Sequence, residues 1–305
     1  MPPPPSACRA EVPPAEPAGT RRPPGRAETA ELLRRHGLVA SRALGQNFLV
    51  EPGVAERIAR CAALQPGERV VEVGPGLGAL TVALAATGAR VTAVELDRHL
   101  LGPLEEVVAG LGVTLVHADA MEPGWRKALG PAGPADPGAG WVLVANLPYN
   151  IATPLVLDLL REEPAVHRMV VMVQREVAER LVASPGSSRY GAVSVRLSYF
   201  ATARIVMRVP PAVFLPRPKV DSAVVEVVRR AEPGVDPAKA PFAEIDELVG
   251  RAFSHRRKML RRSLAGVVAG EQFAAAGIDP SRRPEELGLE EWGRLAAARR
   301  AGGPR

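Results

Sequence analysis

Hydrophobic positions along the chain follow two patterns that alternate with each other. Short apolar runs rich in Val, such as RVVEVG at 69–74 and WVLVAN at 141–146, are typical of strands buried on both faces. The same pattern predicts further strands at 90–96, 113–119, 167–174 and 220–230, and a helix that gives way to a strand within 192–209. Between these runs, apolar residues at helical spacing predict helices at 29–36, 52–63, 77–87, 97–109, 153–161 and 176–183.

The alternation predicts an α/β fold. Strands that alternate with helices form a parallel, doubly wound sheet, and two late strands without a full crossover helix predict an antiparallel edge. Residues 242–297 carry helical patterns only, which predicts a small all-α C-terminal domain. We therefore expect a disordered Pro-rich tail at 1–27, an α/β domain at 28–231 and, after a linker, a helical domain at 238–299.

Composition narrows the class of protein. Lys and Arg number 39 against 33 Asp and Glu, and the resulting net charge of +6 favours an anionic partner. The two cysteines, Cys8 and Cys61, cannot build a disulfide framework, so we expect a reducing compartment, the cytoplasm. Neither a secretory signal nor an apolar run of about 18 residues is present, which predicts no membrane span. No Cys/His cluster has metal-ligand spacing, so we expect no metal.

Glycines and acidic residues follow the first three strands of the predicted sheet. Gly74 and Gly76 lie directly after the first strand, where a ligand approaches the backbone closely. Glu95 ends the second strand and could accept hydrogen bonds from two ribose hydroxyls, and Asp119 ends the third and could accept from an adenine amine. Each acid alone could be a solvated loop residue, but together they indicate S-adenosylmethionine as the cofactor.

The fourth strand ends in Asn146-Leu147-Pro148-Tyr149, which we interpret as the reaction site. Proline stiffens the turn and would hold the Asn146 carboxamide and the Leu147 carbonyl as two fixed acceptors for an amine with two N–H donors. Tyr149 offers a face on which a base can stack, unless it is an ordinary buried loop tyrosine. Phe214 is our candidate for the opposite face, although a phenylalanine at such a position is often part of the core.

Five motifs in this order resemble the small-subunit ribosomal RNA adenine dimethyltransferase family: GQNFL at 45–49, EVGPGLG at 72–78, NLPYNI at 146–151, FLPRPKVDS at 214–222 and FSHRRK at 253–258. The resemblance covers about residues 29–298. It implies a Rossmann-like, S-adenosylmethionine-dependent methyltransferase sheet. It also implies dimethylation of N6 on two adjacent adenines in the 3′-terminal hairpin loop of 16S rRNA, within the immature 30S subunit.

The resemblance also assigns residues to the cofactor. By position in the motifs, we expect contacts from Gln46, Asn47, Leu49, Gly74, Gly76, Glu95, Asp119 and Asn146. The Gln46-Asn47 segment would fold over the cofactor as a lid, whereas its sequence alone predicts an ordinary loop.

A basic segment at 251–262, RAFSHRRKMLRR, is our candidate RNA-binding surface. It holds six basic residues and no acid: Arg251, Arg256, Arg257, Lys258, Arg261 and Arg262. Lys219 adds charge beside the predicted substrate loop. The alternative is a solvated helix face, which is common in a chain rich in Arg. We expect the protein to act as a monomer.

Two other functions stay open at this point. The 23S rRNA adenine N6-methyltransferases of the macrolide-resistance type share the QNF and NLPY motifs, but the PKVDSAVV run and the long helical C-terminal region favour the small-subunit family. A non-catalytic ribosome-assembly factor is the second alternative, and intact Glu95, Asp119 and NLPY weigh against it. A DNA adenine methyltransferase would more often carry D-P-P-Y, so Asn146 weighs against that class.

Overall fold

The computed structural model describes residues 21–41, 44–129 and 140–302. Its central feature is a seven-stranded sheet, mostly parallel with an antiparallel edge. In chain order the strands are β2 (Arg69–Val73), β3 (Arg90–Glu95), β4 (Thr114–His117), β5 (Trp141–Asn146), β6 (Val166–Gln174), β7 (Ala201–Val209) and β9 (Ser222–Arg229). Their order across the sheet is β4-β3-β2-β5-β6-β9-β7. The predicted α/β fold class is therefore confirmed.

Helices connect the strands at the predicted places. They are α2 (Pro52–Ala62), α3 (Ala79–Ala85), α4 (Arg98–Val108), α5 (Ala152–Glu162), α6 (Arg175–Leu181) and α7 (Ala192–Phe200). The pairs β2–β3, β2–β5, β3–β4 and β5–β6 are all parallel. Val70, Val142 and Val170 of the sheet pack with Ile58 and Leu84 of the helices in one buried core. A Val-rich strand covered on both faces needs this continuous apolar sequence.

Within the described residues, the chain divides into two compact units. The first comprises the chain up to Ala178 together with Ile205–Val227, and the second comprises Glu179–Arg204 and the chain from Val228 onward. The second unit contains α8 (Phe242–Ser254), α9 (Leu260–Ser263), α10 (Gly270–Ala276) and α11 (Leu289–Ala301). It also takes in 179–204, which we expected in the α/β domain, because Tyr190 and Tyr199 pack in its core. The predicted end of the α/β domain at 231 and the predicted start of the helical domain at 238 stay predictions.

The N-terminal part of the described chain differs from the predicted tail. Residues 1–20 of that tail lie outside the described residues. Residues 21–27 are ordered, because Pro23 and Pro24 are buried and α1 (Arg26–Arg35) begins before residue 28. The prediction that the disordered tail extends to residue 27 is wrong at this end.

Two short strands were absent from the sequence prediction. β1 (Phe48–Leu49) pairs antiparallel with β8 (Phe214–Leu215), and the two form a small ribbon apart from the main sheet. Between β4 and β5, Pro123–Leu129 form a 3-10 helix, and residues 130–139 lie outside the described residues. No helix among the described residues is long and apolar enough to cross a membrane.

Candidate active site

The first unit contains a cavity of about 230 Å³ at the carboxyl ends of β2, β3 and β5. Its walls come from the glycine loop after β2, from the ends of β3 and β4, from the NLPY turn after β5 and from residues 44–49. This is the edge at which open α/β sheets bind their ligands. All eight residues predicted to contact the cofactor line this one cavity, and so do Leu147, Pro148 and Tyr149.

The glycine loop lies between two other walls of the cavity. Gly74 and Gly76 both adopt positive φ values, +68° and +58°, which side chains disfavour. A Cβ on Gly74 would lie 3.4 Å from Pro148 Cδ, and one on Gly76 would lie 3.0 Å from Phe48 Cδ1. Glycine at these positions therefore lets the loop approach both the NLPY turn and β1.

Glu95 is a buried carboxylate fixed by backbone donors. Its side chain is 6% exposed, Oε1 accepts from the Asp97 backbone N–H at 2.9 Å, and Oε2 accepts from the Gly76 N–H at 3.1 Å. Burial raises the pKa of Glu95, while the Asp97 and Gly76 donors oppose that shift. Each carboxylate oxygen has a second lone pair, so Glu95 keeps acceptor capacity toward a ligand.

Asp119 lies at the end of β4 on the same rim of the cavity. Its Oδ1 accepts from the Met121 backbone N–H at 2.8 Å, and the residue is exposed. The backbone N–H of Ala118 donates to the Glu95 carbonyl at 3.0 Å. The two acids thus follow adjacent parallel strands, as the sequence predicts.

The segment predicted as a lid is tied to the cavity by side-chain amides. Gln46 Nε2 donates to Asp97 Oδ2 at 2.8 Å, and Gln46 Oε1 accepts from the Ser41 backbone N–H at 2.7 Å. Asn47 Nδ2 donates to the Gly45 carbonyl at 3.0 Å. The Gln46 side chain therefore holds the segment in place and also lines the cavity, and its contact with the cofactor stays a prediction. Residues 42 and 43, between Ser41 and Gly45, lie outside the described residues.

Hydrogen bonds anchor three of the four residues of the NLPY turn: Asn146, Leu147 and Tyr149. Asn146 Nδ2 donates to the Asn47 carbonyl at 3.2 Å, which leaves the carboxamide oxygen as the acceptor. The Leu147 side chain is buried and its N–H donates to the Met172 carbonyl at 3.1 Å. The Tyr149 hydroxyl shares a hydrogen bond of 3.0 Å with Ser222 Oγ, and burial raises the pKa of Tyr149.

Phe214 is not in the cavity wall. Its side chain has no exposed surface, and it packs in the core of the first unit with Leu49, its partner across the ribbon. A ring without accessible surface cannot stack on a base, so the structure contradicts the stacking role predicted for Phe214. The core alternative considered for this residue is the one observed.

Glu72 is a cavity residue that the sequence analysis did not single out. It lies within β2, is 1% exposed, and its Oε2 has no hydrogen-bond partner among the described residues. Burial raises the pKa of Glu72 to about 8, and the nearby Glu95 charge acts in the same direction. Its signal in the sequence is an acid inside the otherwise apolar run RVVEVG. Burying an ionisable group there costs free energy, and such groups are often found at functional sites.

The predicted RNA-binding residues fall into two groups. Five of the basic side chains in the second unit are exposed: Arg251, Arg257, Lys258, Arg261 and Arg262. Arg256 is half-buried, donates to the Ser188 carbonyl at 2.8 Å and pairs with Glu285 at 3.5 Å, so it is engaged within its own unit. Lys219 is exposed on the loop before β9 in the first unit.

The cavity suits an adenosyl group attached to a cationic amino acid. Glu95 and Asp119 provide acceptors after adjacent strands, and Gly74 and Gly76 bring the loop backbone into the wall of the same cavity. The Glu72 carboxyl lines the same wall, and its Oε2 has no hydrogen-bond partner among the described residues. The fold and this donor set define the chain as a methyltransferase of the Rossmann-like class.

Comparisons with known proteins give the family. The model described as "Ribosomal RNA adenine dimethylase" matches residues 38–298, and the chain therefore belongs to that family. A relative named "Ribosomal RNA small subunit methyltransferase A" in Pelotomaculum thermopropionicum is 44% identical over 277 residues, covering 87% of this chain and 93% of that protein. A relative of the same name in Streptomyces coelicolor is 42% identical over 283 residues, covering 89% and 95%.

Solved structures agree with this assignment. The 23S rRNA methyltransferase ErmE is 28% identical with a TM-score of 0.62, covering 83% of this chain and 99% of its own. A dimethyladenosine transferase from Plasmodium falciparum is 24% identical with a TM-score of 0.63, covering 81% and 95%, and it supports the fold. The higher identity to the small-subunit enzymes favours that branch over the 23S type. The predicted family and enzyme class are confirmed.

Proposed function

We propose that this chain transfers methyl groups from S-adenosylmethionine to N6 of two adjacent adenines in the 3′-terminal hairpin loop of 16S rRNA, during late assembly of the 30S subunit. One observation carries the proposal. The Asn146 carboxamide and the Glu95 carboxylate line a single cavity, so an acceptor for a target amine lies beside acceptors for a nucleoside. The names of the 42–44% identical relatives supply the choice of small-subunit rRNA.

Cofactor binding in this proposal uses three acidic residues, of which Glu95 and Glu72 are buried and Asp119 is exposed. Glu95, already held by the Gly76 and Asp97 N–H groups, accepts from the ribose hydroxyls without reorienting. Asp119 would accept from the adenine amine, and Glu72 lies in the wall of the same cavity. S-adenosylmethionine, when bound, supplies an electrophilic methyl group on a sulfonium centre.

The NLPY turn orients the target amine. Asn146 Oδ1 and the Leu147 carbonyl accept from the two N–H groups of N6, which favours a pyramidal nitrogen with its lone pair free. Tyr149 stacks on the base, with its ring fixed by the bond to Ser222. The chain acts by positioning and electrostatics, because the amine can lose its proton to water after the transfer.

The basic residues of the second unit contact RNA phosphates in this proposal. Exposed Arg257, Lys258, Arg261 and Arg262 are available to the backbone of a structured RNA. Phosphate contacts set position and affinity, while the choice of adenine comes from the cavity and the shape of the RNA.

The direct test measures labelled methyl transfer to three substrates. They are 30S particles lacking the two dimethyladenosines, 30S particles that already carry them, and protein-free 23S rRNA. The expected result is incorporation of four methyl groups per undermethylated 30S particle and none into the other two. Labelling of 23S rRNA alone would assign the chain to the macrolide-resistance type, and no labelling with normal binding to immature 30S would make it a non-catalytic assembly factor.

A further inference from the structure

Residues 21–26, which end with the first residue of α1, form an arm that is hydrogen-bonded to the rest of the first unit at two places. Arg21 Nη1 donates to the carbonyls of Val107 and Ala109, both at 2.8 Å, at the end of α4. Arg26 Nη2 donates to the Ala212 carbonyl at 2.6 Å and to the Phe214 carbonyl at 3.4 Å. The family model begins at residue 38, so the arm lies outside the residues it matches.

The segment that Arg26 holds is the partner of the lid segment. The ribbon contains two residue pairs, Phe48 with Leu215 and Leu49 with Phe214. One further bond extends it, from the Val50 N–H to the Val213 carbonyl at 2.9 Å. An isolated two-stranded ribbon is marginal in water even when it is longer, so the position of this one depends on the groups packed around it.

The same ribbon forms part of the cavity wall, because both residues of β1 line the cavity. Asn47 immediately precedes β1, and its carbonyl accepts from Asn146 Nδ2 at 3.2 Å. On its other side, Phe48 packs with Leu32 of α1 and with Leu77 and Leu100. A shift of β8 would therefore be transmitted through β1 to Asn47, in the wall of the cavity.

We propose that Arg26 is a positioning residue for methyl transfer: its guanidinium holds the Ala212 and Phe214 carbonyls, and through β8 and β1 it keeps Asn47 at the cavity. Both bonds come from the same nitrogen, Nη2, and a hydrogen bond from a charged donor is stronger than one from a neutral donor. The residue does not line the cavity and touches no reacting group. The activity part of its test rests on the proposed function, and the structural part does not.

The structural part is backbone hydrogen exchange on the full-length protein. Arg26→Ala is expected to accelerate exchange about tenfold in peptides covering 46–50 and 211–216, because a hydrogen bond to a charged group typically contributes that much to a local equilibrium. Exchange in β2 and β3 should stay as in the wild type. Arg26→Lys should give an intermediate acceleration. The matched control is Arg22→Ala, since Arg22 is exposed, lies on the same arm and has no hydrogen-bond partner among the described residues.

The functional part separates binding from chemistry. Arg26→Ala is expected to raise the Kd for S-adenosylhomocysteine and the KM for S-adenosylmethionine about fivefold, with kcat at saturating donor changed less than twofold. Unchanged exchange in both peptides overturns the proposal, and so does an equal acceleration in β2 and β3, which would indicate general destabilisation. If Arg26→Ala does not fold, Arg26→Gln and Arg26→Lys are judged by the same criteria. Because exchange is measured without substrate, a wild type that fails to methylate 30S particles refutes the proposed function and leaves the role of Arg26 to the exchange result.

Discussion

Asn146 donates its side-chain amide to the backbone carbonyl of Asn47, across 3.2 Å, and this bond joins the turn that faces the target amine to the segment that covers the cofactor cavity. The two residues are far apart in sequence, in motifs that the resemblance treats separately. Their contact also fixes which end of the Asn146 carboxamide is free. The oxygen remains to accept from an amine, which is the orientation that the proposed reaction requires.

Replacing Asn146 should abolish transfer more than it weakens cofactor binding. Asn146→Ala removes one fixed acceptor of the developing charge, and the loss of such a group lowers kcat by about 10²–10³-fold. The measurement is labelled methyl incorporation into undermethylated 30S particles, beside calorimetric binding of S-adenosylhomocysteine. Full activity in this variant would eliminate the mechanism proposed for the NLPY turn.

Replacing Glu95 should weaken cofactor binding more than it lowers kcat. Glu95→Ala removes the acceptor for the ribose and leaves the Gly76 and Asp97 N–H groups without their carboxylate, so the Kd for S-adenosylhomocysteine should rise about 10–100-fold. Glu105→Ala, on the exposed side of α4, is the matched control and should leave the Kd unchanged. An unaltered Kd in Glu95→Ala would remove this residue from the cofactor site.

Tyr149 provides a test of stacking that separates its ring from its hydroxyl. Tyr149→Phe loses only the bond to Ser222 and should keep kcat/KM within a few-fold of the wild type. Tyr149→Ala loses the aromatic face, and base stacking on a side chain contributes about 1–3 kcal/mol, so kcat/KM should fall about 10–100-fold. Ser222→Ala should resemble Tyr149→Phe. Equal losses in Tyr149→Phe and Tyr149→Ala would assign the effect to the hydroxyl.

Much of the fold follows from local sequence, and the exceptions have identifiable causes. The strand predicted at 141–146 is observed as Trp141–Asn146, and the change from helix to strand predicted within 192–209 occurs between Phe200 and Ala201. In each of these segments the apolar pattern fits only one type of secondary structure at each position. The ribbon of β1 and β8 has two residues in each strand, too few to show any period.

The candidate site could likewise be predicted only in part from the sequence. The cavity residues could be predicted because chain order places the ends of parallel strands at one edge of the sheet. The burial of Phe214 could not, since the packing of Leu49 against it depends on two segments distant in sequence. The arm at residues 21–26 resembles a disordered tail in sequence because its prolines and arginines offer little periodic apolar surface. It is held in place by hydrogen bonds from Arg21 and Arg26 to carbonyls that are distant in sequence.

Glu72 should make the protein less stable as the pH rises. Its pKa in the folded protein is raised from 4.5 to about 8, so the folded state binds the proton more tightly than the unfolded state. The stabilisation is complete below 4.5 and is lost as the pH rises toward about 8, and the total change is on the order of a few kcal/mol. Carboxyls with a lowered pKa, such as Glu291, titrate below this window.

Urea unfolding of the free protein at pH 5 and pH 8 measures this dependence. Glu72→Gln is neutral at both values, so its free energy of unfolding should change less between them than that of the wild type. Glu56→Gln, on the exposed face of α2, should keep the wild-type dependence. The same pH dependence in Glu72→Gln as in the wild type would show that Glu72 is not the group responsible.

The basic segment of the second unit should contribute to RNA binding unequally along its length. Arg257 is exposed, whereas Arg256 is held by Glu285 and the Ser188 carbonyl. Arg257→Ala is therefore expected to weaken binding to 30S particles and to lower the slope of log K against log salt by about one, the value for one lost phosphate contact. Arg256→Ala should leave the slope nearly unchanged and lower the free energy of unfolding by about 1 kcal/mol or less, because its ion pair is partly exposed. Filter binding at salt concentrations from roughly 50 to 300 mM measures the slope for both variants. Equal slopes for Arg257→Ala and the wild type would mean that this arginine lies on a solvated helix face, the alternative that its sequence also allows.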